Sequence, residues 1–488
     1  MMKTCVSSFA FICFVSASTP GLAAAATAEE AQRLAGVFQT YLGKEPGVVT
    51  VIPSGEAYDV KVDLAPFLAK IPEPNFSAEV SPFEMKLADQ GGGKWLVTQD
   101  SPFSFSAKIP GKFEVIAKVG AMKVSSVFDE NLQVFISSTT EFADFSLEEI
   151  FTEPGLGPVH VTVDSKSMRY ETTATASGAD AVDGTIQMTM SGFFERITAP
   201  VSPASPVTMD VDFIAGPSTT ETIIKGLKNR AINKLITWFI AHPSQASIKA
   251  SQSELKAILG ASLPLFENIS STGTLKDFFA PTTPIGPVSI ANVGFNIGMN
   301  GIVVEGAVHE GFTVEGLTLP YGFVPPWATD LVPDKLALDF KISDFNLADP
   351  VGMLLDMIDL NEAKPTTPEE NMKLLTALLP KGAVQISMGP SKVTSKVYDV
   401  DFEGSMTAGP VGVPLGAATI RAKGLDDVMK ALQAAPPEMV GQAIPAVIAA
   451  KGMAKTEADG SLSWKIENTI SGTVLVNGID ISKMGGGG

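Results

Sequence analysis

The chain of 488 residues contains only two cysteines, Cys5 and Cys13, and both lie before Ala28. A protein that loses this N-terminal segment has no cysteine at all. Disulfides, thiolate metal sites and a cysteine nucleophile are then excluded. Stability must come from a packed core and hydrogen bonds, for which a hydrophobic content of 45% is sufficient.

Histidine is also scarce, and the three histidines are far apart in sequence: His160, His242 and His309. His309-Glu310 lacks the second histidine of a zinc-binding helix. Ser253-x-x-Lys256 has the spacing of penicillin-recognising enzymes but lacks their partner motifs. We therefore predict no catalytic residue, no metal ligand and no cofactor, and an unidentified hydrolase is the third of three functional alternatives.

Negative charge outweighs positive charge, and the formal net charge is −18. Arginine occurs at five positions: Arg33, Arg169, Arg196, Arg230 and Arg421. A polyanion would be repelled by this field, so nucleic acid is excluded as a partner. Four tryptophans and five tyrosines provide few aromatic platforms for sugars.

The N-terminal segment has the features of an export signal. Lys3 supplies a positive charge, Cys5–Ser18 is apolar, and Leu22–Ala28 offers small-residue cleavage sites. The apolar stretch is shorter than the roughly 20 residues that span a bilayer. We predict that residues 1–26 form a cleaved signal peptide and that the protein is periplasmic, with a retained anchor as the alternative.

Alternation of apolar and polar residues is the dominant pattern of the remaining chain. It is clear in Tyr58–Leu64, Leu336–Ile342 and Leu462–Ile466. This period of two is typical of antiparallel sheet with one face covered. We predict an α+β, mostly β fold of extended, curved antiparallel sheets, with amphipathic helices packed on one face.

Helices are fewer, and their starts are marked locally. Thr27–Tyr41 has apolar residues on one helical face, and Thr367-Pro368-x-Glu370 has the residues of a capping box. The predicted organisation has four parts after the signal: a β-rich part (27–215), a helical insert (216–278), a β-rich part with helices (279–484) and a flexible tail (485–488).

A faint internal repeat links two segments. Asp210–Phe213 and Asp399–Phe402 are each followed by Ala-Gly-Pro, then by Lys-Gly-Leu, then by a predicted helix. Two interpretations remain open: duplication of a strand–helix unit, or coincidence in a sheet protein rich in glycine and proline.

A cluster of positive charge lies in the predicted helix Thr222–Ala241. Its four cations are Lys225, Lys228, Arg230 and Lys234. A basic amphipathic helix can lie on an anionic membrane or face a partner. The alternative is a core-packing helix whose basic face pairs with nearby carboxylates.

The C-terminal motifs Asp459–Trp464 and Val474–Gly478, together with the long alternating strands, carry a family resemblance. The chain resembles uncharacterised cell-envelope proteins of Gram-negative bacteria, which are distantly similar to the AsmA-like and tubular lipid-binding groups. That resemblance implies elongated, curved sheets with an apolar inner face, and it transfers no individual site residue.

These observations lead to one functional hypothesis and one main alternative. The hypothesis is a non-enzymatic periplasmic protein that binds an apolar or amphipathic ligand, such as a lipid, in a groove between sheet and helices. Methionine suits such adaptable surfaces, and the sequence has methionine patches at Met188, Met190, Met353 and Met357. The alternative is a structural or interaction protein of the envelope without a ligand groove. The sequence does not predict an oligomeric state.

Overall fold

The computed structural model describes residues 25–69, 75–153, 155–178, 180–202, 207–242, 244–362 and 365–481. Of these residues, 51% are in strands and 23% in helices, so the predicted α+β, mostly β class is confirmed. Residues 1–24 of the predicted signal peptide and the predicted tail 485–488 lie outside the described residues.

The chain divides into two compact units. Unit 1 comprises the described parts of Met1–Asp210, Glu221–Glu267 and Leu355–Lys364, and unit 2 those of Val211–Thr220, Asn268–Leu354 and Pro365–Gly488.

Unit 1 is built on ten strands, to which residues 221–227 of a further strand are added. The ten are β1 (Val49–Ser54), β2 (Ala57–Val62), β3 (Ser77–Val80), β4 (Phe83–Gly91), β5 (Lys94–Ile109), β6 (Phe113–Asp129), β7 (Val134–Glu153), β8 (Gly157–Ala176), β9 (Val182–Ser191) and β10 (Phe193–Pro200).

These strands form an antiparallel meander around four long members. β5, β6, β7 and β8 pair in sequence order. Each outer strand of this group pairs with two shorter strands, one along each half of its length. β5 pairs with β4 and, further along, with β3, and β8 pairs with β10 and, further along, with β9. β1 and β2 extend the β4 side.

The main core of unit 1 lies where its first helix covers the β2–β4 region. The helices are α1 (Ala28–Leu42), α2 (Ala65–Leu68), α3 (Asn229–Ala241), α4 (Gln245–Ala250) and α5 (Gln252–Ser262). The Thr27 side chain caps α1, as the predicted helix at Thr27–Tyr41 requires. Leu34 of α1, Leu87 and Phe128 are among its most buried side chains.

Two strands straddle the division, β11 (Thr208–Ala215) and β12 (Ser218–Leu227). Unit 2 then contains β13 (Asn268–Ala280), β14 (Val288–Asn300), β15 (Gly306–Thr318), β16 (Lys335–Phe345), β17 (Val384–Thr394), β18 (Asp399–Ala408), β19 (Leu415–Lys423), β20 (Lys455–Thr456), β21 (Leu462–Asn468), β22 (Val474–Val476) and β23 (Ile479–Asp480).

Unit 2 is also an antiparallel meander. Strands β13 to β19 pair in sequence order, and β19 continues to β21, β22 and β23. The helices that follow these strands are α6 (Ala348–Met357), which straddles the division, α7 (Pro368–Leu378), α8 (Leu425–Gln433), α9 (Pro437–Val440) and α10 (Ala443–Met453), with a 3₁₀ helix at Pro326–Leu331.

The core of unit 2 lies at the β19–β22 side of this sheet. Trp464, Ala422 and Val476 are buried there, with Leu425 and Met453 of two helices packed against them. The Trp464 indole donates a hydrogen bond of 2.8 Å to the Ala450 carbonyl of α10. Helices therefore cover one face of the sheet at this side, as predicted.

The helical insert is narrower than the predicted 216–278. Its helices occupy Asn229–Ser262, while β12 precedes them and β13 follows them. The predicted helix Thr222–Ala241 is wrong in its first part, because residues up to Leu227 form β12.

The two segments of the internal repeat differ in topology. β18 and β19 pair with each other as a hairpin. In the first segment, Ile214 of β11 lies opposite Phe279, and Thr219 of β12 contacts Thr274, so both strands run along β13. The two segments therefore share the order of strand, turn and helix but differ in strand pairing. This difference favours coincidence over duplication.

Candidate functional site

One face of the unit 2 sheet carries a continuous row of apolar side chains across five strands. In register, Met299 of β14 lies opposite Val308, which lies opposite Ile342. The row continues through Ile386 of β17 to Met406 of β18. Because directly opposed residues of antiparallel strands point to the same face, these side chains form one surface.

A second row runs beside the first, two residues further along each strand. Ile297, Glu310 and Phe340 are directly opposed in it, and Phe340 in turn lies opposite Met388. Phe312 follows Glu310 on the same face. We call the apolar members of both rows, with Phe312, the apolar face: Ile297, Met299, Val308, Phe312, Phe340, Ile342, Ile386, Met388 and Met406.

Much of the apolar face is exposed to solvent. Seven of its side chains are between 37% and 45% exposed: Ile297, Met299, Val308, Phe312, Phe340, Ile342 and Met406. The same face is covered near β19–β22, where Trp464 and Ala422 are buried under helices. Contiguous exposed apolar surface of this kind is uncommon in monomers and is typical of interaction sites.

The opposite face of the same strands is polar and internally paired. His309 Nε2 lies 2.9 Å from Asp339 Oδ2, and Lys335 pairs with Glu315 at 2.5 Å. Lys392 pairs with Asp399 at 2.8 Å, and the hydrogen bond to this carboxylate raises the pKa of Lys392. The two faces of the sheet thus differ in polarity, with apolar side chains on one face and charged pairs on the other.

The first row lies near one end of the strands, and exposed apolar residues occur in the loops at that same end. Val304 in the β14–β15 connection is 58% exposed, and Val411 in the β18–β19 connection is 91% exposed. Ile470, in the β21–β22 connection, is 87% exposed. The register places these connections at one end of the strands, so the apolar character of the face continues into its loops.

The four predicted basic residues do not share a helical face. Lys225 lies in β12 and Lys228 immediately precedes α3, so only Arg230 and Lys234 are helical. The strand is favoured because β12 is paired in the sheet, which overrides the local helical spacing.

Three of these cations are held by neighbouring groups within unit 1. Lys225 pairs with Asp183 at 2.9 Å, and Arg230 pairs with Asp180 at 3.3 Å. Lys228 Nζ donates to the Leu263 carbonyl at 2.8 Å.

Asp183, the partner of Lys225, accepts hydrogen bonds from two donors. The Gly226 amide and then Lys225 hold the pKa of Asp183 below its ordinary value, because both donate to its carboxylate. The alternative interpretation of this basic segment predicted such pairing with nearby carboxylates. Lys234 is exposed on α3.

The four methionines of the predicted methionine patches do not belong to the apolar face. Met188 and Met190 lie opposite Tyr170 and Met168 in unit 1. Met353 and Met357 are half-buried on α6. The alternation of Phe295, Ile297 and Met299 was the sequence signal that could have identified β14 as part of the site.

Among the described residues, no group of three or more His, Cys, Asp or Glu side chains is placed to hold a metal ion. No helix in the described part of the chain is long and apolar enough to cross a membrane. Comparison of the chain with protein-family models, with curated proteins and with solved structures gives no match in any of the three.

Proposed function

We propose that the protein binds the apolar part of a lipid-like molecule on the apolar face of unit 2, in the periplasm. The observation that carries the proposal is the set of seven apolar side chains, 37% to 45% exposed, on one face of neighbouring strands. Removing such surface from water is favourable by about 25 cal/mol per Å². A ligand that covers the face gains this free energy without any rearrangement of the strands.

The chemistry of the face suits a flexible hydrocarbon. Met299, Met388 and Met406 contribute unbranched, polarizable side chains that adapt to irregular partners. The backbone groups of β14–β18 are paired with neighbouring strands, so this face offers side chains rather than a free strand edge. The site we propose is an open sheet face, which differs from the predicted groove between sheet and helices.

Lipid co-purification provides the first test. The processed protein would be purified from the periplasm of a Gram-negative host and examined by native mass spectrometry and solvent extraction. Stoichiometric co-purified lipid is the expected result. A protein that is consistently empty, or that carries a protein partner on this face, would instead support the structural alternative.

Variants of one cross-strand pair provide the second test. Val308 and Ile342 lie opposite each other, and each is about half-exposed. The double variant Val308→Asn/Ile342→Asn removes about 1 kcal/mol of burial at each position and should weaken binding of the neutral dye N-phenylnaphthylamine roughly 10- to 30-fold. Ile285→Asn is the matched control, because Ile285 is 46% exposed but lies in the loop between β13 and β14.

These measurements separate the site from general apolar exposure. If the control weakens dye binding as much as the double variant does, the proposal fails. It also fails if the double variant binds the dye as tightly as the unchanged protein.

Export itself is the remaining part of the proposal, and it rests on the sequence of the first 26 residues. The intact mass of protein recovered from the periplasm should correspond to cleavage after Ala26 or Ala28. Recovery of the uncleaved chain in the membrane fraction would support the retained anchor.

A further inference from the structure

Glu310 interrupts the apolar face at its centre. It lies directly opposite Ile297 on one side and Phe340 on the other, and Val308 and Phe312 are its neighbours on the same face of β15. Across the two rows from β14 to β18, all of whose residues the structure describes, Glu310 is the only charged residue.

The Glu310 carboxylate is also unpaired. In the described part of the chain it takes part in no hydrogen bond or ion pair, and it is exposed. This contrasts with the polar face of the same strands, where Glu315 and Asp339 have partners. An unpaired carboxylate tolerates its position only while water reaches it.

A ligand that covers the apolar face must therefore replace the water that hydrates the Glu310 carboxylate. A plain hydrocarbon would remove water from Glu310 without replacing its hydrogen bonds, which is unfavourable. An anionic head group would add repulsion, in a chain whose net charge is already −18. A cationic head group would supply the missing partner through a charge-assisted interaction.

We propose that Glu310 selects amphiphiles with a cationic head group, whose hydrocarbon tail lies along the apolar face. This inference rests on the proposed function and adds the class of its ligand. A second copy of the chain fits less well, because a symmetric contact through this face would bury two carboxylates without partners.

The test compares three ligands that share a dodecyl tail and differ in head group. Dodecyltrimethylammonium, dodecyl maltoside and dodecyl sulfate would each displace N-phenylnaphthylamine below their micelle concentrations. The unchanged protein should bind the cationic ligand about tenfold more tightly than the neutral one, and the anionic ligand most weakly.

Glu310→Gln should abolish the preference for the cationic ligand while leaving affinity for dodecyl maltoside within about threefold. Glu403→Gln is the matched control, since Glu403 lies on the opposite face of β18 in the same sheet. It removes the same charge and should leave the preference intact.

The possible outcomes distinguish the two proposals. If none of the dodecyl ligands displaces the dye and the dye itself does not bind, the proposed function fails. If all three bind equally, or if Glu403→Gln changes the preference as much as Glu310→Gln does, the apolar site stands and the role of Glu310 is overturned. Self-association of Glu310→Gln with an unchanged preference would likewise overturn it, because Glu310 would then only keep the face soluble.

Discussion

Arg33 of α1 forms an ion pair of 3.0 Å with Glu130, which follows β6, and the Glu130 side chain is only 2% exposed. Arg33 also pairs with Glu30 one helical turn earlier, at 2.5 Å, and its guanidinium lies 6.0 Å from the centroid of the Trp95 ring. The contact therefore ties the first helix to the most buried part of the unit 1 sheet.

Removal of Arg33 should destabilise unit 1 considerably. Arg33→Ala leaves the Glu130 carboxylate buried without its cation, and we expect the free energy of unfolding to fall by about 2–3 kcal/mol, since Arg33 is itself partly exposed. Glu30→Ala removes the exposed partner of the same guanidinium and should cost at most about 1 kcal/mol. Urea unfolding of both variants measures the difference, and equal losses would contradict this role of Glu130.

Glu130 should also give the protein a distinctive pH dependence. Burial raises the pKa of Glu130 above its ordinary value of 4.5, and the pairing with Arg33 offsets this only in part. Between 4.5 and the raised pKa, the folded state binds more protons than the unfolded state, so this group makes stability fall as pH rises.

The variant Glu130→Gln isolates this effect because it cannot titrate. The free energy of unfolding of the unchanged protein, minus that of the variant, should decrease as pH rises through this window and then become constant. Denaturant titrations between about pH 4 and about pH 7 measure it. A difference that increases with pH would show that the Glu130 pKa is lowered in the folded protein.

Local sequence signals predicted helices well where they determine the backbone directly. Thr367 and Glu370 form the predicted capping box of α7, with Pro368 at its first turn. The same spacing of residue types does not specify a helix everywhere, because Ser146-x-x-Glu149 lies within β7. There Ser146 lies opposite Lys118 and Asp164, and pairing on both sides outweighs a cap that needs only local contacts.

The candidate site was predictable only in part. Alternation in Leu336–Ile342 predicts one apolar face, which the register of β16 shows. Alternation does not reveal whether a helix covers that face, because this depends on where segments distant in sequence pack. In the sequence, Glu310 stands out only as the neighbour of His309. Its position among apolar side chains follows from strand pairing with Ile297 and Phe340.

The capping box of α7 should contribute measurably to its stability. Thr367 Oγ1 accepts a hydrogen bond of 3.2 Å from the Glu370 amide, and Glu370 Oε2 accepts one of 2.7 Å from the Thr367 amide. Thr367→Ala should cost about 1 kcal/mol, and Thr367→Ser should restore most of it. Hydrogen exchange of the amides of residues 369–378 measures the effect, and equal protection in Thr367→Ala and Thr367→Ser would show that the cap contributes nothing.

Two glycines with almost the same backbone conformation should respond differently to substitution by alanine. Gly424, which precedes α8, has φ 83°, and Gly478, in the β22–β23 turn, has φ 82°. A Cβ at Gly424 would lie 1.9 Å from the Val397 carbonyl oxygen, whereas a Cβ at Gly478 would meet nothing within 4 Å.

Gly478→Ala should therefore cost only the strain of a left-handed residue, about 1–2 kcal/mol. Gly424→Ala should cost more than about 3 kcal/mol, because the backbone of Val397 or the start of α8 must move as well. Urea unfolding compares the two variants, and limited proteolysis near α8 provides a second measurement if Gly424→Ala is too unstable to purify in quantity. Equal stability of the two variants would show that the close approach of Gly424 to Val397 does not constrain the fold.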